Sequence, residues 1–81
     1  MSSADKVVAF VLLVTDSNST ENIFNEVQSI DKVKEVHLIY GDYDLIIKVE
    51  LNNLQEMTSF MMDLRKKFDI KKSSTLITLA K

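Results

Sequence analysis

From Val7 to Val14 the chain runs without a polar side chain, and this run most limits what the sequence can fold into. It is too short for a typical helix and rich in Val, Leu and Phe, so Lys6 to Thr15 reads as a β-strand. Successive strand side chains point to opposite faces of a sheet. Val7, Ala9, Val11 and Leu13 therefore share one face, and Val8, Phe10, Leu12 and Val14 share the other. A sheet with one wet face normally alternates apolar and polar residues. This strand does not, so both faces of its sheet call for cover, at roughly 1.5–3 kcal/mol for each large apolar side chain fully buried.

The rest of the chain supplies the cover for one face only. Asp16 to Ser19 has turn chemistry. A helix is expected from Asn18 or Ser19, with Ile23, Phe24, Val27 and Ile30 as its apolar stripe, Asn18 and Glu21 at capping-box spacing, and an end within Ser29 to Lys32. Val33 to Tyr40 and Tyr43 to Leu51 read as strands joined at Gly41-Asp42. Gly41, the only glycine, suits the first central position of a two-residue type II′ turn, because glycine tolerates positive φ. A second helix is expected after Asn52-Asn53, with Asn53 and Glu56 at capping-box spacing. Leu54, Met57, Phe60, Met61, Leu64 and Phe68 form its stripe. Ile70 to Ala80 reads as the last strand. The order βαββαβ is the ferredoxin-like α+β fold, a four-stranded antiparallel sheet whose right-handed crossovers put both helices on one face. Residues 1–81 are expected to form a single domain.

A chain of 81 residues with no cysteine and one histidine, His37, lacks the usual staples of a small domain. Disulfides and thiolate metal sites are excluded, no cofactor loop is present, and a lone histidine makes a zinc site unexpected. Oligomerisation is the remaining aid for a core of this size. The apolar second face of the first strand gives it a surface. Two sheets are expected to pack face to face about a two-fold axis, with Ile39, Ile46 and the stem of Lys48 joining the contact.

The formal net charge is −2, with 27% charged residues of both signs. That balance disfavours direct nucleic-acid binding, which needs a positive footprint. Arg65-Lys66-Lys67 falls at a helix end, where cations favour the dipole. No apolar stretch is long enough to span a membrane, and the Val7 to Val14 run lacks the flanks of a signal peptide. A soluble, cytoplasmic protein is expected.

Tyr40-Gly41-Asp42-Tyr43-Asp44 supports two readings. The tyrosines can simply pack across a hairpin, with Asp42 as a turn residue. Alternatively, Asp44 can accept an ammonium group, while free amides around Gly41 and the hydroxyls of Ser73, Ser74 and Thr75 hold a carboxylate. The segment Val33 to Val49 resembles the central hairpin of Lrp/AsnC transcriptional regulators, whose G-(D/E)-(Y/F)-D motif is matched by Gly41, Asp42, Tyr43 and Asp44. Ile70 to Thr75 resembles the V-x-x-T-x-T pattern before the family's last strand, with Ser73 in place of a threonine. Asp69 stands where the family often has glycine.

The resemblance implies an effector-binding and oligomerisation domain, not an enzyme. It implies dimers through the sheets, tetramers or octamers of those dimers, and a small effector, often an amino acid, held where dimers meet. Carried over by position, Gly41, Asp42, Tyr43 and Asp44 line that site, and Ser73 and Thr75 approach it from the last strand. The family's helix-turn-helix has no counterpart, since Met1 to Asp5 cannot hold one. A stand-alone form is implied that modulates transcription, alone or with full-length Lrp/AsnC-type regulators, without itself binding DNA. The alternatives are a small enzyme of the dimeric α/β-barrel type, for which His37 is the one natural general base, and a purely structural oligomerisation partner. An RNA-binding module of the same strand order would need displayed aromatics and a basic surround that this chain lacks.

Overall fold

The computed structural model describes residues 6–78. Its elements are β1 (Val7–Thr15), α1 (Thr20–Val27), β2 (Val33–Leu38), β3 (Leu45–Leu51), α2 (Leu54–Lys67) and β4 (Ile70–Ile77). The sheet is antiparallel with strand order β2-β3-β1-β4. This is the expected ferredoxin-like α+β arrangement. Of the expected last strand, Leu79 and Ala80 lie outside the described residues.

The two central strands carry the core. Val11 pairs with Ile47, Leu13 with Leu45 and Ala9 with Val49, and all six are fully buried on the helix side. Ile23 and Val27 of α1 and Met57, Phe60 and Leu64 of α2 close over them. Period two in the strands and helical period in the stripes thus meet on one side of the sheet.

The two helix starts differ. Asn53 caps α2 as expected: its side chain accepts the N–H of Glu56 at 3.0 Å. Glu56 returns the bond one residue earlier than a capping box would, its carboxylate accepting the N–H of Asn52 at 2.9 Å. That bond from the Asn52 N–H is the main cause holding the Glu56 carboxyl below the ordinary glutamate range. At α1 the expected Asn18 box does not form; the N-cap is Ser19, with no side-chain cap bond. The carbonyl of Asp16 does the capping, accepting from the N–H of Ser19 at 2.8 Å, the N–H of Thr20 at 3.1 Å and the Thr20 hydroxyl at 3.1 Å. With the first donors served by that turn, Asn18 has nothing left to cap.

The hairpin also departs from expectation. Gly41 has positive φ, +123°, but β2 stops at Leu38 and β3 begins at Leu45. The tight two-residue turn at Gly41-Asp42 is replaced by a wider loop, closed by the Ile39 N–H donating to the Asp44 carbonyl at 3.0 Å. The reason lies across the sheet. The Asp44 N–H donates to the Leu13 carbonyl at 2.8 Å and the Asp44 carboxylate accepts the N–H of Thr15 at 2.9 Å. These bonds draw Asp44 toward β1 and end the ladder with β2.

Candidate functional site: an open sheet face and the loop at its end

The face of the sheet away from the helices carries Val8, Phe10, Leu12 and Val14 of β1, flanked in register by Ile46 and Lys48 of β3 and by Ser74 and Leu76 of β4. No element of the described residues covers it. Leu76 is more than half exposed. On the β2 side the apolar stripe meets charge. Glu35 lies 3.2 Å from His37 Nε2 and 3.6 Å from Lys48 Nζ. The bond from His37, then the nearby Lys48 charge, holds the Glu35 carboxyl below its ordinary range.

The Gly41 loop sits at one end of this face, beside the end of β1. Gly41 and Asp42 are exposed, and Tyr43 and Asp44 are half-buried. Lys72 of β4 places its ammonium 5.5 Å from the centre of the Tyr43 ring, a cation–π distance. The loop and the start of β4 are thereby tied together across β1.

The residues expected from β4 are placed differently. Ser73 pairs in register with Leu13 and Thr75 with Val11, so both point to the helix side of the sheet. Arg65 of α2 hydrogen-bonds the Ser73 hydroxyl, and Thr75 is exposed. Within one chain Gly41 to Asp44 and Ser73 lie at the same end of the sheet, on either side of β1, and do not enclose a common cavity. The recess that does form at the loop, about 380 Å³, is lined by Thr20, Leu38, Ile39, Tyr40 and Asp44. Ile39, expected on the open face, instead lines this recess, because strand alternation ends at Leu38.

Thr15 and Thr20 were not marked by their residue types as site residues. Their hydroxyls lie 2.7 Å apart, and Thr15 is buried. One signal was available for Thr15: it has the parity of Ala9, Val11 and Leu13, so it is a polar residue at a core position and needs a partner. Thr20 carried no such signal. Among the described residues no cluster of His, Asp and Glu is arranged to hold a metal ion, and no helix is long and apolar enough to cross a membrane.

A sequence profile of the Lrp/AsnC ligand binding domain matches residues 8–81. The chain belongs to that family. Among solved structures, the hypothetical protein PHS023 from Pyrococcus horikoshii matches with a TM-score of 0.84 and 34% identity, over 93% of this chain and 92% of that one. Among curated proteins, the homocitrate synthase of Sulfolobus acidocaldarius is 30% identical over 78 residues, covering 95% of this chain and 17% of the enzyme. The HTH-type transcriptional regulator FL11 of Pyrococcus abyssi is 26% identical over 55 residues, covering 68% of this chain and 36% of the regulator. The chain thus spans about a sixth to a third of the curated relatives it matches. In this Lrp/AsnC domain the Gly41 to Asp44 motif forms the loop beside β1, and the apolar sheet face lies next to it.

Proposed function

We propose that this Lrp/AsnC ligand-binding domain senses a small molecule, such as an amino acid, and self-associates, modulating transcription without contacting DNA itself. Two copies pack through the open sheet faces, and pairs meet at their loops in tetramers or octamers. The effector sits between pairs, touched by Gly41, Asp42, Tyr43 and Asp44, with Ser73 and Thr75 approaching from β4. The domain carries out no chemistry of its own. The observation that carries this reading is the uncovered stripe of Val8, Phe10, Leu12 and Val14 ending beside the loop: a small chain gains most by covering it with itself. Neither β4 hydroxyl reaches the recess of its own chain, which favours a site completed by a second copy.

Thermal-shift measurements across the standard amino acids test sensing. A ligand of the native state raises the midpoint as its concentration exceeds Kd; an unchanged midpoint for every amino acid removes the sensing claim. Light scattering on the eluting protein tests assembly, and a monomer at high micromolar concentration removes the dimer.

The likeness to homocitrate synthase favours a second reading, in which the same sensing domain serves a biosynthetic enzyme rather than a regulator. Co-purification with a full-length regulator or with such an enzyme separates the two.

A further inference from the structure

The recess beside the loop has one-sided hydrogen-bonding chemistry. A hydroxyl has one proton to give. That of Thr20 goes to the Asp16 carbonyl, so Thr15 is the donor in the 2.7 Å bond between the two threonines. Thr20 is left with only lone-pair capacity. Asp44 accepts the Thr15 N–H through Oδ2, and among the described residues Oδ1 accepts no further bond. The backbone donors here are spent as well: the Ile39 N–H on Asp44 and the Asp44 N–H on Leu13. The polar wall of the recess is therefore acceptor-only and includes a carboxylate. The Tyr40 hydroxyl, on a fully exposed side chain at the rim, is the one proton donor among the lining side chains.

The other wall is apolar and poorly covered. Leu38 is 54% exposed although it pairs with Leu45, whose side chain is fully buried. Ile39 and the Tyr40 ring continue this surface. The volume, about 380 Å³, lies within the roughly 300–1,000 Å³ usual for small-molecule sites.

We propose that this recess takes the ammonium end and the side chain of an aliphatic amino acid, with Thr20 and Asp44 reading the ammonium group and Leu38, Ile39 and Tyr40 covering the side chain. The inference rests on the effector-binding reading and adds two things to it: the class of effector, and Thr20, Leu38 and Ile39 as specificity residues. An acceptor-only wall repels the ligand's carboxylate, which points out of the recess toward the Gly41 loop. The same wall discriminates an amino acid from its keto acid, because replacing the ammonium by a carbonyl leaves acceptor facing acceptor.

Calorimetric titration of the full chain with L-leucine, 3-methylbutylamine and 4-methyl-2-oxopentanoate tests this. Leucine and the amine are expected to bind and the keto acid not to. Thr20→Val and Leu38→Lys should each weaken leucine binding by about tenfold or more, as expected for a lost or competed charged hydrogen bond. Leu38 is largely exposed, so Leu38→Lys keeps the test open if Thr20→Val fails to fold; circular dichroism checks both. Equal binding of the keto acid, or full-strength leucine binding in folded Leu38→Lys, overturns the recess while the effector reading survives. Binding of the amine without leucine upholds the recess and removes the amino-acid effector. If neither binds, both fall.

Discussion

The carboxylate of Asp44 accepts the backbone N–H of Thr15 at 2.9 Å, joining positions 29 apart in the sequence. One aspartate of the motif is thus both a structural tie and a wall of the recess. The two roles separate by substitution. Asp44→Ala leaves the N–H of buried Thr15 unpaired and should cost about 1–3 kcal/mol in urea unfolding. Asp44→Asn keeps an acceptor oxygen and should cost less than about 1 kcal/mol, yet lose the affinity for a ligand ammonium. Equal destabilisation by both would show that charge, not the bond, holds β1 to the loop.

A charge placed in the middle of the open face should separate associated copies without unfolding them. Leu12→Asp sits opposite Ile46 and Ser74, where burial against a second sheet would leave an unpaired carboxylate. Light scattering is expected to give the single-chain mass of 9.3 kDa with an unchanged far-ultraviolet spectrum.

Glu56 makes stability depend on acid. Its folded pKa is lowered from the ordinary value of 4.5. The contribution is therefore fully present above the unfolded pKa and is lost as pH falls through the folded one. Glu56→Gln should lower the melting temperature at neutral pH, and the gap to the parent should shrink below about pH 4.5. Asn53→Ala, which removes the cap itself, should cost about 1 kcal/mol at both neutral and acid pH.

Gly41 has open space where a Cβ would stand, but φ of +123°. Gly41→Ala should therefore cost about 1–2 kcal/mol from backbone strain alone, with no core contact disturbed. Chemical denaturation measures it, and a neutral result would mean that the loop relaxes to negative φ at no cost.

The element order was legible because periodicity is local: the run Val7 to Val14, the stripe Met57, Phe60 and Leu64, and the Asn53–Glu56 spacing each report on their own segment. The absence of alternation in β1 also foretold the uncovered face. The end of the hairpin was not legible. Residue types continue to alternate through Tyr40 and Tyr43, but the Asp44 carboxylate is drawn to Thr15, a partner that only the folded sheet brings near. The same applies to α1, where the Asp16 carbonyl displaces Asn18 as the cap. The motif Gly41 to Asp44 was recognisable as a unit, whereas its neighbours Thr20 and Lys72 come from other elements and share no spacing with it.

The Thr78 N–H donates to the Val8 carbonyl at 2.9 Å, so both described ends of the chain emerge side by side. They do so beside the Leu51 end of β3, while the loop lies past the Leu45 end, roughly 20 Å away at strand rise. The domain therefore has a tethering pole and a sensing pole. A second polypeptide grafted onto either terminus would leave the loop and the recess unobstructed, and one grafted onto both would bring its own two attachment points together. Such a cassette can be moved between hosts as different as a regulator and a synthase without redesign of the part that meets the ligand.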